Sequence, residues 1–442
     1  MRTRILAAAL IAATLAVPLA AQAPNPEPRL DAAARAALVD SAASLLRRYY
    51  VFADTGQMLA DHLHRRLAAG AFDAAQTAAQ LGDVLTREMQ AFNHDGHLYT
   101  RYQPGAFAAG RMPGGPVVRG SRPRDPAREA ALRRANYNID DVEVLDGNVG
   151  YVRIGALMDS PESRQAFDAA MAFLGNVDAM IIDLRRSPGG DQMAHYVASY
   201  FLPDGAPQTW NYARMMGDTM KNVSGPVAGR KRLDIPVYVL TSGRTASAAE
   251  ALAQSLQSNH RAKVVGEHSA GAGYNNFFFP LSDDLGMSVS IGRAFFPTTN
   301  QGWEGTGVLP DIAAAPAQAL AAAHVDALNA LAARETDDAH RRQLQWTAQY
   351  GETLLHPYAV PPAALQAYAG TYGTRRVAAE DGGLVYYRRP DGPGDPLRPI
   401  ADGVFAPGAD ERVEFVRDGS GAVTGLRDSI AAGGSNTYPR VP

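Results

Sequence analysis

Ala179-Met180-Ile181-Ile182-Asp183-Leu184, running straight into Arg185-Arg186-Ser187-Pro188-Gly189-Gly190-Asp191, is the stretch on which the fold turns. The first part is a short, β-rich apolar run, and it ends in small and polar residues ahead of a helical segment. Pro236-Val237-Tyr238-Val239-Leu240 repeats the arrangement and empties into Thr241-Ser242-Gly243-Arg244-Thr245-Ala246-Ser247. Strands that alternate with helices in this way build a sheet with helices on its faces. In open sheets of that kind ligands gather where strands run out into loops, so 185–191 and 241–247 are the places to search for chemistry. Further strands are expected at Gly150–Ile154, after the turn residues Asp146-Gly147-Asn148, and at Lys263–Gly266, Met287–Ile291 and Ala294–Pro297.

Outward from this α/β core, apolar residues between Leu30 and Phe92 recur at helical spacing, as in Leu45-Leu46 and then Leu81, Leu85 and Met89. Gln103 to Pro126 is rich in Gly, Pro and Arg without periodicity, which predicts a linker or surface loop. An Ala-rich helical stretch from Pro316 to Tyr350 is expected to lead away from the core, and after Pro357 short alternating runs predict a small β domain. At the start, Arg2 and Arg4 precede an apolar run from Ile5 to Ala21, with Ala21-Gln22-Ala23 as an A-x-A cleavage signal. The expected division is a signal peptide at 1–23, a helical lobe at 27–100 and a linker and loop at 101–146. A core at 147–315, a helical connector at 316–356 and a β domain at 357–442 complete it.

Composition narrows the function. Among 442 residues, 42 Lys and Arg stand against 45 Asp and Glu, so no basic field is available to hold a nucleic acid. The absence of cysteine excludes disulfides, thiolate nucleophiles and an acylated-cysteine anchor. The expected localisation is exported, periplasmic or secreted, with no stable membrane span after signal removal.

Four stretches could carry chemistry. Ser247 follows a strand at a helix start, where backbone N–H groups favour negative charge; Ser247-Ala248-Ala249-Glu250 also reads as a capping box. Gly189-Gly190 can hold unusual dihedrals and present N–H groups, or make a tight turn. Asn93-His94-Asp95-Gly96-His97-Leu98 offers a general base, or part of a metal site. Trp303-Glu304-Gly305-Thr306-Gly307-Val308-Leu309-Pro310-Asp311 offers an acid to orient the histidine. Trp303 and Phe277 to Phe279 are candidates for a substrate pocket wall, or for core.

Taken in chain order, Asp95-Gly96-His97-Leu98, Asn148-Val149-Gly150-Tyr151, the turn from Asp183 to Gly190, Thr245 to Glu250, Val265-Gly266-Glu267 and Gly307-Val308-Leu309-Pro310-Asp311 resemble serine peptidases of the C-terminal processing (tail-specific) family. The resemblance is to the branch of the tricorn core and the interphotoreceptor-retinoid-binding-protein modules. It implies a ClpP/crotonase-like β-β-α peptidase core with an N-terminal helical lobe and a small C-terminal all-β domain. Residue by residue it implies Ser247 as nucleophile, the Gly189 and Ala248 amides as oxyanion hole, His97 as general base and Glu304 as its acidic partner. Two departures qualify it. Ala272 stands where the processing branch has its lysine base, so a histidine base is needed, with His268 as the reserve. Gly96 stands where the tricorn-like tetrad has a serine, which leaves the link from Glu304 to His97 to water or Asp95. The expected function is an exported serine peptidase acting on peptide or unfolded protein through an acyl-enzyme, without cofactor or metal. The alternatives are a binding module that kept the fold and an esterase using the same chemistry. Oligomeric state stays open.

Overall fold

The computed structural model describes residues 27–107, 126–389 and 391–442. The expected signal peptide at 1–23 and most of the expected loop at 103–126 lie outside the described residues. Three helices, α1 (Ala32–Tyr49), α2 (Ala53–Ala68) and α3 (Ala78–Asn93), form the N-terminal lobe and lead into β1 (Tyr99–Tyr102). The core runs α4 (Pro126–Arg134), β2 (Ile139–Leu145), β3 (Val149–Ile154), α5 (Pro161–Phe173), β4 (Ala179–Asp183), α6 (Met193–Ser199), β5 (Trp210–Ala213) and β6 (Asp218–Met220). It continues through β7 (Val237–Thr241), α7 (Ala248–Ser258), β8 (Lys263–Gly266), β9 (Tyr274–Pro280), β10 (Leu285–Phe295) and β11 (Ile312–Ala313). After α8 (Ala319–Arg334), α9 (Asp338–Leu355) and α10 (Pro362–Tyr368), strands β12 to β19 fill 370–439.

The central sheet has the order β11-β8-β7-β4-β3-β2 and is parallel except for β2. Its inner strands β3, β4 and β7 are largely apolar because both faces are covered there. Met180, Ile182 and Val239 face α5, α6 and α7, whereas Ala179, Ile181, Tyr238 and Leu240 face α8 and α9. Ile182 and Val239 have no exposed surface, and truncating such a residue to alanine typically costs about 2–5 kcal/mol for Ile and somewhat less for Val.

Three expectations are corrected. The Ala-rich stretch does not lead away from the core: Ala319, Ala323 and Ala327 let α8 lie close on the sheet, making it one of the covering layers. The segment expected as linker up to 146 contributes an edge strand, β2, whose exposed, charged outward face hid its periodicity. Met287–Ile291 and Ala294–Pro297 are not two strands but parts of β10, continuous across a bulge between Ser290 and Gly292.

The helical lobe is not self-contained either. Its Leu46, Leu63, Leu85 and Met89 share one core with Phe277, Phe279, Met287 and Val289 of β9 and β10, and β1 pairs antiparallel with β10. That shared core fixes the turn after α3, which carries His97, against the half of the molecule that holds β9 and β10. At the other end, β12 to β19 form an antiparallel meander. It closes on itself where Val441 N donates to Thr371 O (2.8 Å) and Gly373 N to Pro439 O (3.0 Å). It docks on α9 through Arg412, whose guanidinium donates to Trp346 O at 2.7 Å. Among the described residues no helix is long and apolar enough to cross a membrane.

Candidate active site

Ser247 sits between β7 and α7 with φ 53° and ψ −119°. An N-cap serine normally has extended backbone, and a non-glycine residue held here stores about 1–3 kcal/mol of strain. The strain is held by stitching. Thr245 Oγ1 donates to Leu184 O (2.8 Å), Ser242 Oγ to Arg185 O (2.7 Å) and Ala246 N to Ser187 O (3.1 Å). The two loops singled out from the sequence are thus bonded to each other.

Gly189 completes the elbow. With φ 108°, a Cβ there would meet Ala246 O at 2.7 Å, Ser247 Cβ at 2.8 Å and Ala248 N at 3.0 Å, so only glycine fits. Among the described residues neither the Gly189 nor the Ala248 amide donates to another protein group. Two N–H groups without a protein acceptor among the described residues therefore lie beside Ser247.

Glu250 is the hub that the sequence reading undervalued. It is fully buried, and its Oε2 accepts from Ser247 N (2.7 Å) and Ala272 N (2.8 Å). Its Oε1 accepts from Ser269 Oγ (2.5 Å) and Gly271 N (2.7 Å), and Ser269 Oγ in turn accepts from Val308 N (2.6 Å). The capping-box pattern gave the bond to Ser247 N, but the reach to 269–272 is a tertiary contact without a local signal. Ala272, the position of the missing lysine, contributes its amide to this hub. Burial pushes the Glu250 carboxyl above its ordinary value despite these donors.

His97 and Glu304 form the second half. Glu304 Oε2 accepts from Gly273 N (2.6 Å) and Tyr274 N (2.8 Å), which leaves Oε1 at 3.8 Å from His97 Nδ1. Asp95 Oδ1 lies at the same 3.8 Å from Nδ1 and also accepts from His97 N at 2.8 Å. Asp95 itself is buried and bonded to Tyr50 Oη at 3.1 Å. His97 Nδ1 is buried without a hydrogen-bond partner. Burial works to lower the imidazole pKa, but Glu304 first, then Asp95 and Glu250, more than offset it, and the net direction is up. Burial, with Glu304 nearby, raises the Asp95 carboxyl.

The segment 269–274 joins the halves, giving amides to Glu250 beside Ser247 and to Glu304 beside His97. His268 does not join them. It is exposed and lines a different cavity with Glu267 and Pro310, because the chain turns outward after Gly266. Trp303 lines the cavity beside Ser247, whereas Phe277 and Phe279 belong to the helical lobe's core. The ligand atoms of Asp95, His97 and Glu304 lie within 4.8 Å of one another, near enough to share one cation.

Comparison with known proteins follows the same division. Residues 148–314 match peptidase family S41, and residues 32–140 match the N-terminal domain of that peptidase in eukaryotic IRBP. This chain carries a family S41 peptidase domain. Ser247, Gly189, Ala248 and Glu304 fall inside the S41 domain, and His97 inside the N-terminal match. The carboxyl-terminal-processing protease of Synechocystis sp. is 32% identical over 165 residues, 37% of this chain and 37% of that protein. The chloroplastic carboxyl-terminal-processing peptidase 1 of Arabidopsis thaliana is 31% identical over 186 residues, 41% of this chain and 37% of the relative. The match thus spans little more than a third of these relatives' length. Among solved structures, the photosystem II D1 C-terminal processing protease aligns with a TM-score of 0.44 at 18% identity, covering 64% of this chain and 93% of that one.

Proposed function

We infer that this protein is an exported serine peptidase that cleaves peptide or unfolded polypeptide through an acyl-enzyme. Ser247 Oγ attacks the scissile carbonyl and gives its proton to His97 Nε2, since Nδ1 faces the two carboxylates. The oxyanion forms on the Gly189 and Ala248 amides, each contributing about 3 kcal/mol of transition-state stabilisation. His97 returns the proton to the leaving amine, and water releases the acyl group. Glu304, steadied by the Gly273 and Tyr274 amides, stabilises the imidazolium with Asp95 beside it.

One observation carries this reading: the strained Ser247 backbone, held beside two amides that have no protein partner among the described residues. A binding module has no use for that strain. The second reading, a fold that binds without turnover, is favoured by the 3.8 Å separations around His97 Nδ1 and by Gly96 in place of a bridging serine. An esterase would use the same groups. Export rests on the sequence from Arg2 to Ala23. Hydrolysis of an unfolded protein and of a simple ester by the wild type, Ser247→Ala and His97→Ala separates these readings. Peptide turnover that falls by several powers of ten in both variants supports the first, while turnover unchanged by Ser247→Ala excludes it.

A further inference from the structure

A cavity of about 260 Å³ opens beside Ser247, lined on its apolar side by Ala194, Ala251, Met220 and Trp303. One wall is His195, on α6, and its chemistry is set by a neighbour outside the cavity. Gln208 is fully buried, and its Nε2 donates to His195 O and to Ser199 Oγ, both at 3.1 Å. Ser199 Oγ spends its own proton on His195 O at 2.7 Å, so it can only accept from Gln208. The carboxamide is therefore locked with Oε1 toward the ring, 2.6 Å from His195 Nδ1. An oxygen acceptor at that distance requires the proton on Nδ1. Burial holds the imidazole below its ordinary pKa, which keeps the ring neutral near pH 7. Nε2 is then a lone-pair acceptor on a half-buried ring that lines the cavity, and among the described residues the ring's hydrogen bond is the one that Nδ1 makes to Gln208. On the same rim Asp191 Oδ1 accepts from the amides of Asp159 (2.6 Å) and Met193 (3.4 Å).

We propose that His195 is a specificity-determining residue whose fixed Nε2 acceptor selects, next to the scissile bond, a substrate side chain ending in an uncharged hydrogen-bond donor such as a hydroxyl or carboxamide. The proposal rests on the peptidase reading and adds to it the substrate class of the cavity. An apolar cavity alone would take valine and threonine with little discrimination, whereas an acceptor in its wall favours the hydroxyl. The full chain is given paired peptides that differ only in Thr or Val, placed in turn on either side of the cut. Wild type should favour Thr by about tenfold in kcat/KM at one of the two positions. His195→Phe, which keeps a ring but loses the acceptor, should bring the two values together. Equal cleavage of Thr and Val peptides by the wild type overturns the proposal without need of the variant, as does a preference that survives His195→Phe. A wild type that cuts neither peptide nor unfolded protein overturns instead the peptidase reading beneath it.

Discussion

Substituting Gly189 by alanine attacks the proposed oxyanion site at a position with no room for a Cβ. The new Cβ would stand 2.7 Å from Ala246 O and 3.0 Å from Ala248 N, both backbone atoms of the elbow, at a φ of 108° that L residues rarely adopt. Relief requires the Gly189 peptide to move away from Ser247, taking its N–H out of reach of the oxyanion. Losing one such donor costs about 2.7–4 kcal/mol of transition-state stabilisation, or about 10²–10³ in kcat. KM should change little, because the amide acts when charge develops. Gly243→Ala is the control in the facing loop, since a Cβ there meets nothing within 4 Å. Steady-state kinetics on an unfolded polypeptide, with urea unfolding to establish that both variants are folded, provide the assay. A folded Gly189→Ala enzyme with kcat within threefold of wild type would refute the assignment of this amide.

Other consequences are equally open to measurement. Glu250→Gln can satisfy only one side of the hub, leaving at least one of the Ser247, Ala272 or Gly271 amides unpaired, so unfolding free energy should fall by about 1–3 kcal/mol. Unchanged stability would show that the hub is not a structural tie. Because the His97 pKa is raised, the rising limb of kcat/KM should lie at higher pH than an ordinary imidazole would give, and Glu304→Gln, which removes the chief raising influence, should move that limb to lower pH. A limb that stays in place or moves upward contradicts the pairing. Excess EDTA should leave turnover unchanged; a loss restored by added zinc would instead assign Asp95, His97 and Glu304 to a metal.

The parts of this site that could be read from the sequence are those whose signals are local. Met180-Ile181-Ile182 and Val237-Tyr238-Val239 announce buried strands because both of their faces meet helices, and the loops that follow them do hold Gly189 and Ser247. What stayed hidden is tertiary. Ser247-Ala248-Ala249-Glu250 reads as a helix cap, and only the folded chain brings Ser269, Gly271 and Ala272 to the same carboxylate. β2, with its outward residues Asp140, Asp141 and Glu143, lacks the apolar signature that its partner β3 carries. Pro316 onward looks like a departing helix, because alanine spacing does not say which surface the helix will cover. Nothing in Met193-Ala194-His195 marks the histidine; its tautomer is set by Gln208, thirteen residues along and buried.

The account stands on Ser247 as an activated nucleophile. Incubation of the full chain with a fluorophosphonate, followed by intact mass and peptide mapping, tests that claim most directly. One adduct per chain on the peptide containing Ser247, absent from Ser247→Ala and slowed in His97→Ala, is the predicted result. Equal labelling of wild type and Ser247→Ala, or no labelling of a folded wild type, would contradict it.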